Sequence, residues 1–126
     1  MNREILEKRI SKRYPPSVYV NIYEASTNKF FGLMADLSKT GFKLSSQQEI
    51  VVNHPYHFAI RNPFEKPNAP LHAFIVKAQW IRLRKDGVYE AGFEFSDLEN
   101  ESESLFVRLN EDFETFAKHI NQADAD

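Results

Sequence analysis

The stretch Phe30-Phe31-Gly32-Leu33-Met34-Ala35, then Asp36-Leu37-Ser38-Lys39-Thr40-Gly41, then Phe42-Lys43-Leu44 decides how this chain is read. Two apolar runs flank a short polar connection, which reads as strand, tight turn, strand. The connection carries a carboxylate, a hydroxyl two residues on, and a glycine three residues beyond that. Asp, Ser, Thr and Gly are ordinary turn residues, so their chemistry gains meaning only from what surrounds them.

Outward from this stretch the pattern stays β-like. In residues 29–36, Phe31, Leu33 and Ala35 alternate against Phe30, Gly32 and Met34. In residues 17–24, Val18, Val20 and Ile22 alternate against Tyr19, Asn21 and Tyr23, as in a half-buried strand. Residues 41–45 form a third strand and residues 56–61 a fourth. The proline-punctuated residues 62–70 cannot be an inner strand and read as a wide hairpin loop. Residues 71–84 are the longest β-type run, with Phe74, Val76, Ala78 and Trp80 expected on one face. Lys85-Asp86-Gly87 is a tight turn with glycine available for positive φ. Residues 88–95 return, with Tyr89, Ala91, Phe93 and Phe95 on one face and Glu90, Gly92 and Glu94 on the other.

The period then changes. Ser96 or Asp97 can cap a helix, and Leu105, Leu109, Phe113, Phe116 and Ile120 form an apolar stripe at helical spacing. Six closely spaced strands followed by one helix predict a mainly β protein. The expected form is a small, closed or nearly closed antiparallel barrel with a C-terminal α-helix. Closure removes the exposed strand edges that a flat sheet would leave open to pairing.

Composition bounds the function. The 126 residues fit one domain, and 42% hydrophobic with 27% charged residues is globular. Eleven Phe and five Tyr favour a sheet. Without cysteine there is no disulfide framework, zinc ribbon or thiol chemistry. No apolar leader or spanning run is present, so the expected location is the cytoplasm, away from membranes. A net charge of −2 argues against a nucleic-acid polymer as partner. That charge is uneven: Arg3, Lys8, Arg9, Lys12 and Arg13 load the front of the chain, and acidic residues crowd the region from Glu94 to Glu114.

Catalytic readings find no support. His54 and His57 straddle a proline without a carboxylate or cysteine beside them, so no metal and no cofactor are expected. No phosphate-binding glycine loop and no G-x-S-x-G serine is present. The acidic run after Asp97 reads as a helix start. Trp80 reads as core or rim packing rather than a stacking platform.

One pairing remains. Arg9-x-x-x-Arg13 precedes the first strand, and Asp36-x-Ser38-x-x-Gly41 ends the second. Two such elements can lie side by side at one end of a small antiparallel barrel. Arginine forks suit phosphate oxygens or the O6/N7 edge of guanine. A carboxylate accepts from guanine N1 and N2, and a hydroxyl gives or takes one more bond. A glycine allows close backbone approach and positive φ. Together they describe a site for an anionic guanine nucleotide.

These two motifs, in this order on this strand pattern, resemble the signature of PilZ domains. The likeness extends through Ala78-Gln79-Trp80 and Gly92-Phe93-Glu94-Phe95 into the acidic helix start, covering roughly residues 8 to 120. The resemblance implies a PilZ-like, split-barrel fold of six strands with a terminal helix, and binding of the second messenger cyclic di-GMP. It carries the ligand role onto Arg9, Arg13, Asp36, Ser38 and Gly41. Lys8, just before the first arginine, resembles members that hold two stacked ligand molecules; Lys12 is a further, weaker candidate. The expected organisation is a flexible basic arm over residues 1–16, a barrel with its helix over 17–121, and a frayed tail over 122–126. The arm is expected to have too little apolar surface to fix itself on the barrel, so that ligand orders it and a downstream effector protein reads the result. Motility, attachment and polymer secretion are the outputs that the resemblance suggests. A ligand-free protein–protein adaptor of the same fold is the alternative, and a single-stranded nucleic-acid binder a third.

Overall fold

The computed structural model of the chain describes Leu6, residues 20–38, 40–64, 66, 68–95 and 100–124. Lys8, Arg9, Lys12 and Arg13, the rest of the expected arm apart from Leu6, and the cap at Ser96 or Asp97 lie outside the described residues.

Six strands form: β1 (Val20–Glu24), β2 (Phe30–Ala35), β3 (Gly41–Ser46), β4 (Pro55–Ile60), β5 (His72–Leu83) and β6 (Tyr89–Glu94). They close into a barrel in the order β1-β2-β3-β6-β5-β4. Every ladder is antiparallel, and Ile22 opposite Ile60 closes the circle. This is the expected barrel. Gly87 takes a φ of 86° in the β5–β6 turn, where Arg84 N donates to Val88 O at 2.9 Å.

The interior is aromatic. Phe42 stacks on Phe93 with centroids 5.1 Å apart, and Phe58 packs on Phe31 at 4.9 Å. The helix α1 (Asn100–Asp124) closes one end of the barrel. It brings Leu105, Phe106 and Leu109 into the barrel's core cluster. Phe106 lies 4.4 Å from Phe95 and 5.0 Å from Phe74. Asn62 Nδ2 also donates to Asp112 Oδ2 at 2.9 Å, tying the loop after β4 to the helix. The expected stripe thus meets the barrel at Leu105, Leu109 and Phe113, and Phe106 widens it. The helix runs on through Asp124, beyond the expected start of the tail at residue 122.

Two register shifts overturn expected faces. The first lies in the β1–β2 ladder, where Ile22 opposes Gly32 and Tyr23 opposes Phe30, leaving Phe31 as the extra residue. A bulge of this kind breaks the period of two. Phe31 therefore joins Met34 in the interior, while Leu33 packs separately with Val88 and Phe30. Phe31 and Leu33 do not share a face. The second shift falls between Ala78 and Trp80, with Ala78 opposite Phe93 and Trp80 opposite Gly92. Phe74, Val76 and Ala78 stay inside, and Trp80 turns out, 44% exposed. Trp80 is not core packing.

The outer face of the barrel carries a second apolar cluster. Leu6 is fully buried against Leu33, Val88 and Phe30. Burying a leucine contributes about 1.5–3 kcal/mol, which favours Leu6 in this place; the rest of the expected arm lies outside the described residues. Glu90, on the face of β6 opposite Ala91 and Phe93 as expected, is also fully buried. Arg82 Nη2 donates to both its carboxylate oxygens at 3.0 Å, and Arg84 Nη1 lies 3.6 Å from one of them.

Candidate functional site

Asp36, Ser38 and Gly41 come together at the end of the barrel that α1 covers, and they line one open groove of about 340 Å³. That size is within the usual range of small-ligand sites. Asp36 takes a φ of 49°, a left-handed conformation that aspartate tolerates because of its short polar side chain. The kink turns the chain out of β2, and the carboxylate, about half exposed, pairs with Lys43 Nζ at 3.6 Å.

Ser38 organises the turn. Its backbone N–H donates to Gly41 O at 2.9 Å, and its hydroxyl accepts from Thr40 N at 3.2 Å. The same hydroxyl lies 3.1 Å from Thr40 Oγ1 and donates to Gly41 O at 3.3 Å. These bonds hold the loop in one shape. Asn110 of α1 donates to Ser38 O at 3.0 Å, so the helix is fastened to this loop.

Gly41 is required for a different reason from the one expected. Among the described glycines, positive φ belongs to Gly87. At Gly41 a Cβ would collide with the backbone carbonyl of Phe93. Glycine there lets β6 close onto β3, where Gly41 opposes Glu94.

The floor of the groove is a row across three strands. Lys43 opposes Gly92 on one side of β6, and Trp80 opposes Gly92 on the other. A Cβ on Gly92 would overlap the Trp80 indole, so the ring lies against bare backbone. Lys43 Nζ sits 5.8 Å from the ring centroid. An exposed indole beside a carboxylate and an ammonium offers a face for a flat heterocycle and polar groups at its edge. Trp80 and Lys43 were not among the ligand residues expected from sequence, where Trp80 was read as packing. Lys43 was legible as an outward position of β3, next but one to Gly41; Trp80 was hidden by the bulge.

The groove's own charge does not suit an anion. Among the described lining residues, Lys43 is opposed by Asp36 and Glu94. Val20, the first residue of β1, pairs with Met34, two residues before Asp36. Lys8, Arg9, Lys12 and Arg13 precede Val20 in the sequence and lie outside the described residues.

A family model described as the PilZ domain matches residues 7–112. The chain belongs to the PilZ family. The matched span of this PilZ domain opens before Lys8 and closes in α1, so it takes in the arginine pair, the Asp36–Gly41 turn and the whole barrel. PilZ domains as a class are cyclic di-GMP receptors and adaptors, that is, binding modules. A search among curated proteins returns no match. Among the described residues no group of His, Cys, Asp or Glu converges as a metal site, and no helix is long and apolar enough to cross a membrane.

Proposed function

We propose that this PilZ domain binds cyclic di-GMP in the groove between the Asp36–Gly41 turn and Trp80. Arg9 and Arg13 close on the ligand from the leader. The observation that carries this reading is the convergence of Asp36, Ser38, Gly41 and an exposed Trp80 on one groove.

The roles follow from the chemistry. The Asp36 carboxylate accepts from guanine N1 and N2 once Lys43 yields its place or shifts to a phosphate. The Trp80 face carries a purine. Arg9 and Arg13 bind phosphate oxygens or the O6/N7 edge, with Lys8 and Lys12 adding positive charge nearby. Ser38 and Gly41 act through the shape of the turn. Charge-assisted hydrogen bonds contribute about 1.5–3 kcal/mol each, enough for several to offset the ordering of a few leader residues at about 1–2 kcal/mol apiece. The surface completed by ligand and leader is then read by an effector protein.

Trp80 is the chain's single tryptophan, so its emission reports on the groove alone. Titration with cyclic di-GMP should change that emission saturably, and GTP should not. Asp36→Asn keeps the left-handed backbone and removes the charge; it should weaken binding about tenfold, as expected for loss of one charged hydrogen bond. Absence of any emission change, heat or thermal shift with cyclic di-GMP would favour the ligand-free adaptor.

A further inference from the structure

The two halves of β5 pair on opposite sides. Residues 72–77 pair with β4, which begins at Pro55 opposite Lys77. From Ala78 to Leu83 the partner is β6. On the side of β5 away from β6, Val52 bridges Ala78, and Asn53 N donates to Ala78 O at 3.1 Å. Beyond that point, Gln79 to Leu83 have no ladder partner on this side among the described residues. The β5–β6 turn fixes which backbone groups point there. Arg84 N donates to Val88 O, so by the alternation of an antiparallel ladder Arg82 bonds across to Glu90, while the N–H and C=O of Ile81 and Leu83 face the open side. Their side chains stand beside Ala91 and Tyr89 on the interior face of the sheet, yet they are 41% and 58% exposed, because β4 does not reach them. An apolar strand with a row of unpaired N–H and C=O groups is a template for another strand.

We propose that a second copy of this chain pairs with this edge, β5 to β5, about a two-fold axis at Ile81. The register follows from the geometry. The open segment runs from Gln79 to Leu83, and Ile81 is its middle residue. A two-fold pairing there sets Ile81 opposite its own copy, Trp80 opposite Arg82 and Gln79 opposite Leu83, and the two Ile81 residues exchange both backbone bonds. The Arg82 guanidinium, half exposed and held by Glu90, then comes beside the indole of the other copy, a favourable cation–π pairing. The neighbouring registers fail. A two-fold axis at Arg82 opposes two guanidinium groups. One at Trp80 drives Arg82 onto Ala78, whose open side Val52 and Asn53 already occupy. Pairing at Ile81 covers both Ile81 and Leu83 and brings a cation from the second copy to Trp80, at the rim of the groove. It needs no ligand and stands apart from the cyclic di-GMP reading.

So short a paired segment makes a contact of the weak, transient class. In sedimentation equilibrium the full chain should be monomeric when dilute and shift towards dimer at about 1 mM. Ile81→Pro removes an N–H that faces the open edge and leaves the β6 ladder intact, so it should be a folded monomer throughout. Ile81→Lys sets like charges opposite each other on the axis and should also stay monomeric. The chain has no cysteine, so a single introduced one reports its own pairing. Cα atoms of an opposed, hydrogen-bonded pair lie about 5.5 Å apart, within disulfide reach. Ile81→Cys should therefore form a disulfide-linked dimer at least about tenfold faster than Ile75→Cys. Ile75 is the more exposed of the two but lies on the half of β5 that pairs with β4. A dimer that survives both Ile81→Pro and Ile81→Lys, or equal crosslinking of the two cysteine variants, overturns the proposal. A wild-type chain that stays monomeric at about 1 mM also overturns it and leaves the edge to an extended segment of another protein.

Discussion

The indole of Trp80 lies against Gly92, filling the space a Cβ would occupy. The contact fixes the ring over the outer face of β6, where it borders the groove with Lys43 and Asp36. Gly92→Ala should push the ring aside at little cost to stability, within about 0.5 kcal/mol, because the indole is the far end of an exposed side chain. Tryptophan emission should shift in the free protein, and cyclic di-GMP affinity should fall. Loss of one aromatic–base stack is worth about 1–3 kcal/mol, so Trp80→Ala should weaken binding at least about fivefold. An unchanged Kd in both variants would remove Trp80 from the site.

Gly41 should respond in the opposite way. Its missing Cβ faces the carbonyl of Phe93, which is backbone and cannot swing clear. Gly41→Ala should therefore destabilise the β3–β6 ladder by about 1–3 kcal/mol, the usual cost of overpacking. Urea unfolding of the two alanine variants side by side checks the contrast. Equal stability would show that β6 can retreat from β3.

Asn110 connects α1 to the turn through the Ser38 carbonyl. Asn110→Ala removes one neutral hydrogen bond, worth about 0.5–1.5 kcal/mol. Stability should fall by that amount, and ligand affinity should drop about threefold as the turn loosens. Paired unfolding and titration curves measure both; a loss of stability with no change in affinity would separate the helix from the site.

The Glu90 carboxylate holds Arg82 and Arg84 on the outer face of the β5–β6 hairpin. Orphaning one partner of a buried ion pair costs about 3–5 kcal/mol. Arg82 is half exposed and stays hydrated, so Glu90→Ala should cost less, about 2 kcal/mol. The groove lies one row away, so cyclic di-GMP affinity should change less than for Asp36→Asn. Thermal unfolding and titration of the same sample decide this.

Much of the architecture was legible because alternation in β1 and β6 and the helical stripe each point to one element. Asp36, Ser38 and Gly41 were legible as a group because a turn between two strands keeps its residues together whatever the packing. The two misread faces have one physical origin. A period of two carries no sign of an extra residue, so the bulges at Phe31 and near Gln79 reversed the faces of Leu33 and Trp80. The burial of Glu90 was not legible, because its arginine partners, eight and six positions earlier, reach it only once the β5–β6 hairpin has formed. Leu6 lies in a segment too short and too charged to signal burial, and only its contact with Leu33 and Val88 reveals it.

The central claim is that two arginines of the leader and the Asp36–Gly41 turn grip one cyclic dinucleotide. Isothermal calorimetry of cyclic di-GMP against wild type and Arg13→Ala tests it most directly, with GTP as control. Saturable wild-type binding is expected with a Kd in the micromolar range or tighter, about −8 kcal/mol or better. Arg13→Ala should lose at least about tenfold in affinity, and GTP should give no heat. Arg13→Ala binding as tightly as the wild type would contradict it.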